Sequence, residues 1–250
     1  TVSNMRTLSL KIPKQKKNIL HTCTHPFKKL NIVGGSNNLG GGIIEWIKET
    51  FFSKNEFNYD YFKKIKSNNH YGLIFLPYLL GERAPIWDSK IRAVFFGLSK
   101  EHTKNDLIMS ILAGLGYSLK NMIETIEINT KLKIKKIFVS GGLSRINIIN
   151  QLKADITGKT VVQLNNYETT SIGAAIWIEK IINGTDLKKL QKKYIRLNKI
   201  YTPNKVLFKK YKKFYKIFKN LNILLKKTHH DNYDLKNQLK KNKEISLDNL

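Results

Sequence analysis

The chain has 250 residues, a formal net charge of +27 and 41% hydrophobic residues, enough apolar material for one large domain or two small ones around a proper core. Its one cysteine, Cys23, excludes an intrachain disulfide and suits a reducing cytoplasm. No apolar run approaches the ~18–20 residues of a membrane span, and the residues from Thr1 carry no signal-peptide pattern, so a soluble, unexported protein with no membrane partner is expected. Clustered basic residues supply most non-specific nucleic-acid binding, but only Arg6, Arg83, Arg92, Arg145 and Arg196 among the 45 basic residues are arginine, the type suited to bidentate base and phosphate contacts. The charge reads as a lysine-biased solvated surface, with nucleic acid an unexpected partner.

Residues 1–27 read as an irregular polar start with short strand-like pieces. Glycines cluster at Gly34, Gly35, Gly40, Gly41 and Gly42, and the apolar spacing of Ile43, Ile44, Trp46, Ile47 and Phe51 predicts an amphipathic helix after a glycine loop. Residues 52–69 read as helix plus loop. Gly72 to Tyr78 is a buried-strand candidate ended by Pro77 and the turn Gly81-Glu82-Arg83-Ala84-Pro85, and Ala93 to Leu98 is a short apolar strand. From Lys104 to Ile126, Leu107, Ile111, Leu112, Leu115, Leu119, Met122 and Ile126 form a stripe at helical spacing.

The most informative stretch is Ile134 to Val139 followed by Ser140-Gly141-Gly142-Leu143-Ser144 and a helix over 145–157, a strand, a glycine pair and a helix. Without a Cβ, Gly141 and Gly142 permit a tight turn and close ligand approach, and the N–H groups of a helix start favour an anion. The pattern reads as a nucleotide-phosphate cradle; an ordinary strand-to-helix turn is the alternative. Val161 to Leu164 gives another strand and Thr169 to Ile182 another helix, whose Gly173-Ala174-Ala175 allows close packing. The alternation predicts an α/β layer. Past Tyr201-Thr202-Pro203, Leu207, Tyr211, Tyr215, Phe218 and Leu221 share one helix face, and residues 226–250 read as a polar lysine-rich tail, mobile and with little to bury. There is no internal repeat, Walker P-loop or nucleophile elbow. His21, Cys23 and His25 alternate on a would-be strand, too closely spaced to converge on a tetrahedral ion, so no metal site is expected.

Taken together, these motifs resemble the C-terminal domain of the FGGY carbohydrate kinases, most closely the gluconokinase branch, with xylulokinase-like relatives next. Leu76 to Asp88 resembles that branch's loop, Arg92 to Leu98 followed by Asp106-Leu107 the second family signature, Ser140-Gly141-Gly142 with Arg145, Gln151 and Ala154-Asp155 the adenosine-binding turn and helix, and Gly34-Gly35 through Trp46 the segment over the adenine. The resemblance covers roughly residues 1–225. It implies an actin-like ATPase fold of the ribonuclease H type, the C-terminal half of a two-domain sugar kinase, with ATP and Mg²⁺ as cofactors.

By position, the resemblance puts Gly142 against the phosphates and ribose, has Gly141 shape the turn, puts Gly41 and Glu45 beside the adenine, and makes Thr1 the hydroxyl that meets the transferred phosphoryl group. Glu82 and Arg83 are expected either to face a cleft between domains or to pin their loop as an ion pair, while Asp88 and Arg92 are expected to be structural. No catalytic residue is assigned: the family's aspartate base and almost all its sugar contacts belong to a region before Thr1, and no Asp or Glu here matches that base. A sugar or sugar acid, gluconate favoured, and a complementary N-terminal domain in cis or as a separate chain are therefore the expected partners. The chain departs from the family at Ala113, where a glutamate is usual, at Ile146 and Ile149, where serine and tryptophan are usual, and at Asn37-Asn38, one place early. These departures carry the alternative, a kinase remnant or lysine-rich binding protein that keeps the fold without the chemistry.

Overall fold

The computed structural model describes residues 3–14, 19–26, 29–65 and 70–247, with side chains described as far as residue 240. Two three-stranded sheets share a helical core. The first has the order β1-β3-β2, with β1 (Ser3–Ser9) and β2 (His21–Thr24) both antiparallel to β3 (Asn31–Asn37). The second has the order β6-β7-β8: β6 (Lys136–Val139) runs parallel to β7 (Thr160–Leu164), and β8 (Leu197–Tyr201) pairs antiparallel on the far side of β7. A two-stranded ribbon, β4 (Ile74–Leu76) with β5 (Val94–Phe96), lies between them in sequence.

The expected glycine loop begins later than the sequence reading placed it. Gly34 and Gly35 sit inside β3, where a Cβ on Gly34 would stand 1.9 Å from the Met5 carbonyl oxygen of β1, and one on Gly35 would stand 2.5 Å from Ala84 Cβ and 2.6 Å from Met122 Cε. These two glycines answer a close approach of strand to neighbour. The loop proper is confined to residues 38–41 before α1 (Gly42–Phe51), which buries Ile43, Ile44 and Ile47 as the spacing predicts.

The spine is α3 (Lys104–Thr130). Thr103 and Asp106 close a reciprocal cap at its start, and Lys131 ends it in the left-handed region. At 27 residues it is about 40 Å long, long enough to serve both sheets. Ile111 and Leu112 enter the largest apolar cluster with α1, β4, α4 (Asn147–Thr157) and α7 (Lys205–Leu224), whereas Ile123 joins Ile137, Val139 and Val161 of the second sheet. The predicted aromatic face of α7 is the buried one: Tyr211, Tyr215 and Phe218 pack around Tyr117, with the Tyr117–Phe218 ring centroids 5.3 Å apart. Among these rings Lys120 is buried, its ammonium donating to the Ile156 carbonyl at 2.9 Å and lying 5.0 and 4.9 Å from the Phe208 and Tyr215 centroids. Burial pushes its pKa down.

The stretch read as helix plus loop holds one short helix, α2 (Tyr61–Lys64). Three later elements, two helices and β8, escaped the sequence reading. Between α5 (Thr169–Asn183) and α7 come α6 (Leu187–Tyr194), capped by Asp186 accepting from the N–H groups of Lys188 and Lys189, and β8. The polar segment from residue 226 is not an unstructured tail over the described residues: it forms α8 (Lys226–Leu247). Its first turns are held by contacts to the loop before β5. His230 lies 2.7 Å from the Asp88 carboxylate, Lys90 bonds Asp234 at 2.7 Å, and Arg92 stacks 5.1 Å from the Tyr233 centroid.

Candidate functional site

The strand-glycine-helix unit forms as the sequence predicts, with one local difference. After β6, Gly141 adopts φ +80°, a conformation open to glycine, and Gly142–Arg145 then make a 3-10 turn before α4 begins at Asn147. The turn rests on a buried polar platform. Ser144, fully buried, accepts at its carbonyl from Asn150 Nδ2 and Gln163 Nε2, both at 2.7 Å, and its hydroxyl donates to the Gly141 carbonyl at 2.7 Å. Beneath it, the Tyr201 hydroxyl donates to Asn147 Oδ1 at 2.6 Å and lies 3.2 Å from Gln163 Oε1. The Gly141 N–H donates to the Tyr167 carbonyl at 3.1 Å, and Ser140 Oγ lies 2.9 Å from Thr169 Oγ1, so the turn is tied also to the start of α5. Such a network fixes the backbone without using the outward face of the glycines.

That outward face is open. A Cβ on Gly142 would meet nothing within 4 Å, so packing within the chain does not account for the missing side chain. Gly142 instead faces a cavity of about 950 Å³, within the range of small-molecule sites, whose opposite wall is Gly41 and Glu45 at the start of α1. Phe62 and Ile44 supply apolar wall, and Arg145 and Ile146 continue the Gly142 side. Three of the five sequence-predicted residues, Gly41, Glu45 and Gly142, thus line one cavity although they lie on either side of α3 in the chain. Gly141 shapes the turn behind it. Thr1 lies outside the described residues. The apolar wall from Phe62 was missed in sequence because α2 is a single turn with no periodicity to read.

Glu82 does not pair with the Arg83 guanidinium among the described contacts. Its buried carboxylate accepts from Asn37 Nδ2 at 3.1 Å and from the backbone N–H groups of Asn38 and Arg83, both at 2.8 Å. The glutamate therefore pins loop 81–88 to the end of β3 through amides. Burial dominates these bonds and pushes its pKa up. Asp88 is structural as expected. It is a partner of His230 and of the Lys90 N–H, whose hydrogen bonds outweigh burial and hold its carboxyl below the usual range. Of the residues that depart from the family pattern, Ala113, Ile146 and Ile149 belong to the main apolar cluster, Ile146 also lining the cavity. Among the described residues no three His, Cys, Asp or Glu side chains converge to hold a metal ion, and the ring of His21 packs edge-on to Trp87 at 5.4 Å.

Residues 7–177 match the FGGY family of carbohydrate kinases, C-terminal domain. The chain belongs to that family. A glycerol kinase of Clostridium beijerinckii is 32% identical over 172 residues, 68% of this chain and 34% of that protein, and a gluconokinase of Bacillus subtilis is 33% identical over 156 residues, 58% of this chain and 30% of that protein. The crystal structure of a ligand-bound xylulose kinase from Lactobacillus acidophilus superposes with a TM-score of 0.81 at 24% identity, covering 92% of this chain and 47% of the other. The fold is therefore that of the FGGY sugar kinases, actin-like and ribonuclease H-like as the resemblance implied. This FGGY domain spans about a third of the curated relatives and about half of the solved one. No helix among its described residues is long and apolar enough to cross a membrane.

Proposed function

We propose that this chain is the nucleotide-holding half of an ATP-dependent kinase for a sugar or sugar acid, gluconate favoured as acceptor, working in the cytoplasm. The reading is carried by Gly142: a glycine on a braced turn, facing a cavity whose other wall is Gly41 and Glu45. Bound there, ATP supplies a γ-phosphoryl group for in-line transfer to a primary hydroxyl. This chain's part is positioning. Gly142 leaves its backbone accessible to the ribose and phosphates, Gly141 turns the chain beneath them, Gly41 and Glu45 flank the adenine, and Thr1 meets the transferred group. The open space at Gly142 fits a phosphate-bearing ligand, and Arg145 on the same wall supplies positive charge. Mg²⁺, which binds phosphate oxygens with few protein ligands, enters with the nucleotide. The carboxylate that accepts the hydroxyl proton and the sugar pocket come from a complementary domain, in cis or as a separate chain. Gluconate is favoured by the likeness of loop 76–88 to the gluconokinase branch.

A second reading, a folded remnant without the chemistry, is favoured by Ala113, Ile146 and Ile149, which put apolar side chains where the family pattern has a glutamate, a serine and a tryptophan. Calorimetric titration with Mg·ATP at two salt concentrations separates the two. Saturable binding at both supports the kinase half; heat that fades with salt and never saturates marks a basic surface and refutes it.

A further inference from the structure

The outer side of α7 combines charge and apolar surface in a way that a solvated face does not require. The helix carries seven lysines in its 20 residues and no acidic residue. Two of the seven are engaged by neighbouring elements: Lys210 sits 3.2 Å from the Tyr71 ring centroid, and Lys219 bonds the Glu124 carboxylate at 3.3 Å. The other five, Lys205, Lys209, Lys212, Lys213 and Lys216, fall on one face at helical spacing. All five are exposed, and among the described residues no acidic side chain pairs with them. Set among them are uncovered aliphatic side chains: Val206 and Ile223 are each 74% exposed, Leu224 is 73% exposed, and Ile217 is exposed too. The opposite side of the helix, Tyr211, Tyr215, Phe218 and Leu221, is buried, so the core holds this face outward over about 30 Å. α6 is the contrast. It is equally lysine-rich, but its Leu190 is buried and its Leu187 half-buried, which leaves the lysines to face solvent without aliphatic neighbours on the helix.

A row of lysines selects an anionic partner, and the aliphatic side chains decide which. The phosphate backbone of a nucleic-acid duplex takes the ammonium groups but offers nothing to Val206, Ile223 or Leu224. The boundary of an anionic bilayer takes both: ammonium groups reach the headgroups on their flexible stems, while aliphatic side chains enter the edge of the acyl region. We propose that the outer face of α7 rests on an anionic lipid surface, its five lysines among the headgroups and Val206, Ile217, Ile223 and Leu224 at the acyl boundary. The expectation of no membrane partner concerns spans; a surface contact needs none. The inference stands apart from the kinase-half reading, since it uses neither the Gly142 turn nor its cavity.

The test is sedimentation of the full chain with vesicles of phosphatidylcholine alone and of phosphatidylcholine with about a third phosphatidylserine. The chain sediments with the anionic vesicles and not with the neutral ones, and binding weakens as salt rises from about 0.1 M to about 0.5 M. The triple variant Lys209→Glu, Lys213→Glu, Lys216→Glu weakens binding roughly tenfold or more, and the neutral set Lys209→Gln, Lys213→Gln, Lys216→Gln weakens it in the same direction. The pair Ile223→Ser, Leu224→Ser leaves the charge unchanged and weakens binding roughly threefold or more. The set Lys188→Glu, Lys189→Glu, Lys192→Glu on α6, an equal change in charge, costs less than about threefold. Every substituted position is exposed, so each change within a set acts as a surface substitution on stability. No binding to the anionic vesicles, equal binding to the neutral ones, or an equal loss from the α6 set overturns the proposal. So does binding indifferent to the serine pair, which marks a general polyanion site that a nucleic-acid duplex fills as well.

Discussion

The neighbouring glycines of the braced turn give opposite predictions on substitution. At Gly142 a Cβ has open space and no left-handed φ is required, so Gly142→Asp acts as a surface change, within about 0.5 kcal/mol and therefore about 2 °C in Tm for a chain of this length. Its carboxylate projects into the proposed phosphate site. One unit charge about 5 Å from another at an effective dielectric of about 20 costs about 3 kcal/mol, which raises the Kd for Mg·ATP about 150-fold. At Gly141 the φ of +80° with ψ near 180° is a region essentially reserved for glycine, so an alanine costs about 1–3 kcal/mol, a fall of roughly 2–12 °C in Tm. Thermal unfolding and calorimetry on the two variants read both quantities. If Gly142→Asp lowers Tm as far as Gly141→Ala while leaving nucleotide affinity intact, the glycine serves the turn alone and the cradle is refuted.

Lys120→Met keeps the volume among Phe208 and Tyr215 and loses only the bond to the Ile156 carbonyl, about 1–3 kcal/mol, whereas Lys120→Ala loses that bond and leaves a cavity as well, about 2 kcal/mol or more beyond the methionine variant in denaturant unfolding; equal losses would refute the packing role. Because the folded-state pKa of Lys120 is lowered, the parent also gains stability relative to the methionine variant as pH rises from that lowered value toward 10.5. Glu82 has the opposite linkage: its pKa is raised, so its contribution is complete below the unfolded value near 4.5 and is lost as pH rises through the folded one. The Tm difference between parent and Glu82→Gln therefore moves in the parent's favour as pH falls from 7 to 4.5; a flat difference contradicts this. On α8, His229 carries a buried Nε2 without a hydrogen-bond partner, and burial lowers its pKa against the pull of Asp88, with Arg92 and His230 also facing it. Stability falls as pH drops from above 6.5 toward that lowered value, seen as faster amide exchange over α8, and His229→Gln flattens the profile.

Legibility in the sequence followed the range of the forces at work. The stripe from Leu107 to Ile126 and the face from Tyr211 to Leu221 are local periodic patterns; the structure buries the whole α7 face and, in the stripe, Ile111, Leu112, Met122 and Ile126, with Leu107, Leu115 and Leu119 half-buried. The strand-glycine-helix turn was legible because glycine at 141 answers a backbone need within the turn itself. Gly34 and Gly35 misled, since what they answer lies across the sheet, in Met5, Ala84 and Met122. The platform under the turn joins Ser144 to Gln163 and Tyr201, residues with no sequence pattern in common. α8 shows the limit of composition: few of its side chains are buried, and what holds it is a set of charges at Asp88, Lys90 and Arg92 on a loop far upstream.

The cavity at Gly142 has a mechanical consequence. One wall, at Gly41 and Glu45, hangs from the first sheet, and the other from the second. A ligand seated there acts as a rivet across the edge of the apolar core that α1, α3 and α4 share. Filling it couples the start of α1 to the Gly142 turn, so force applied to pull the two sheets apart meets a later, sharper break.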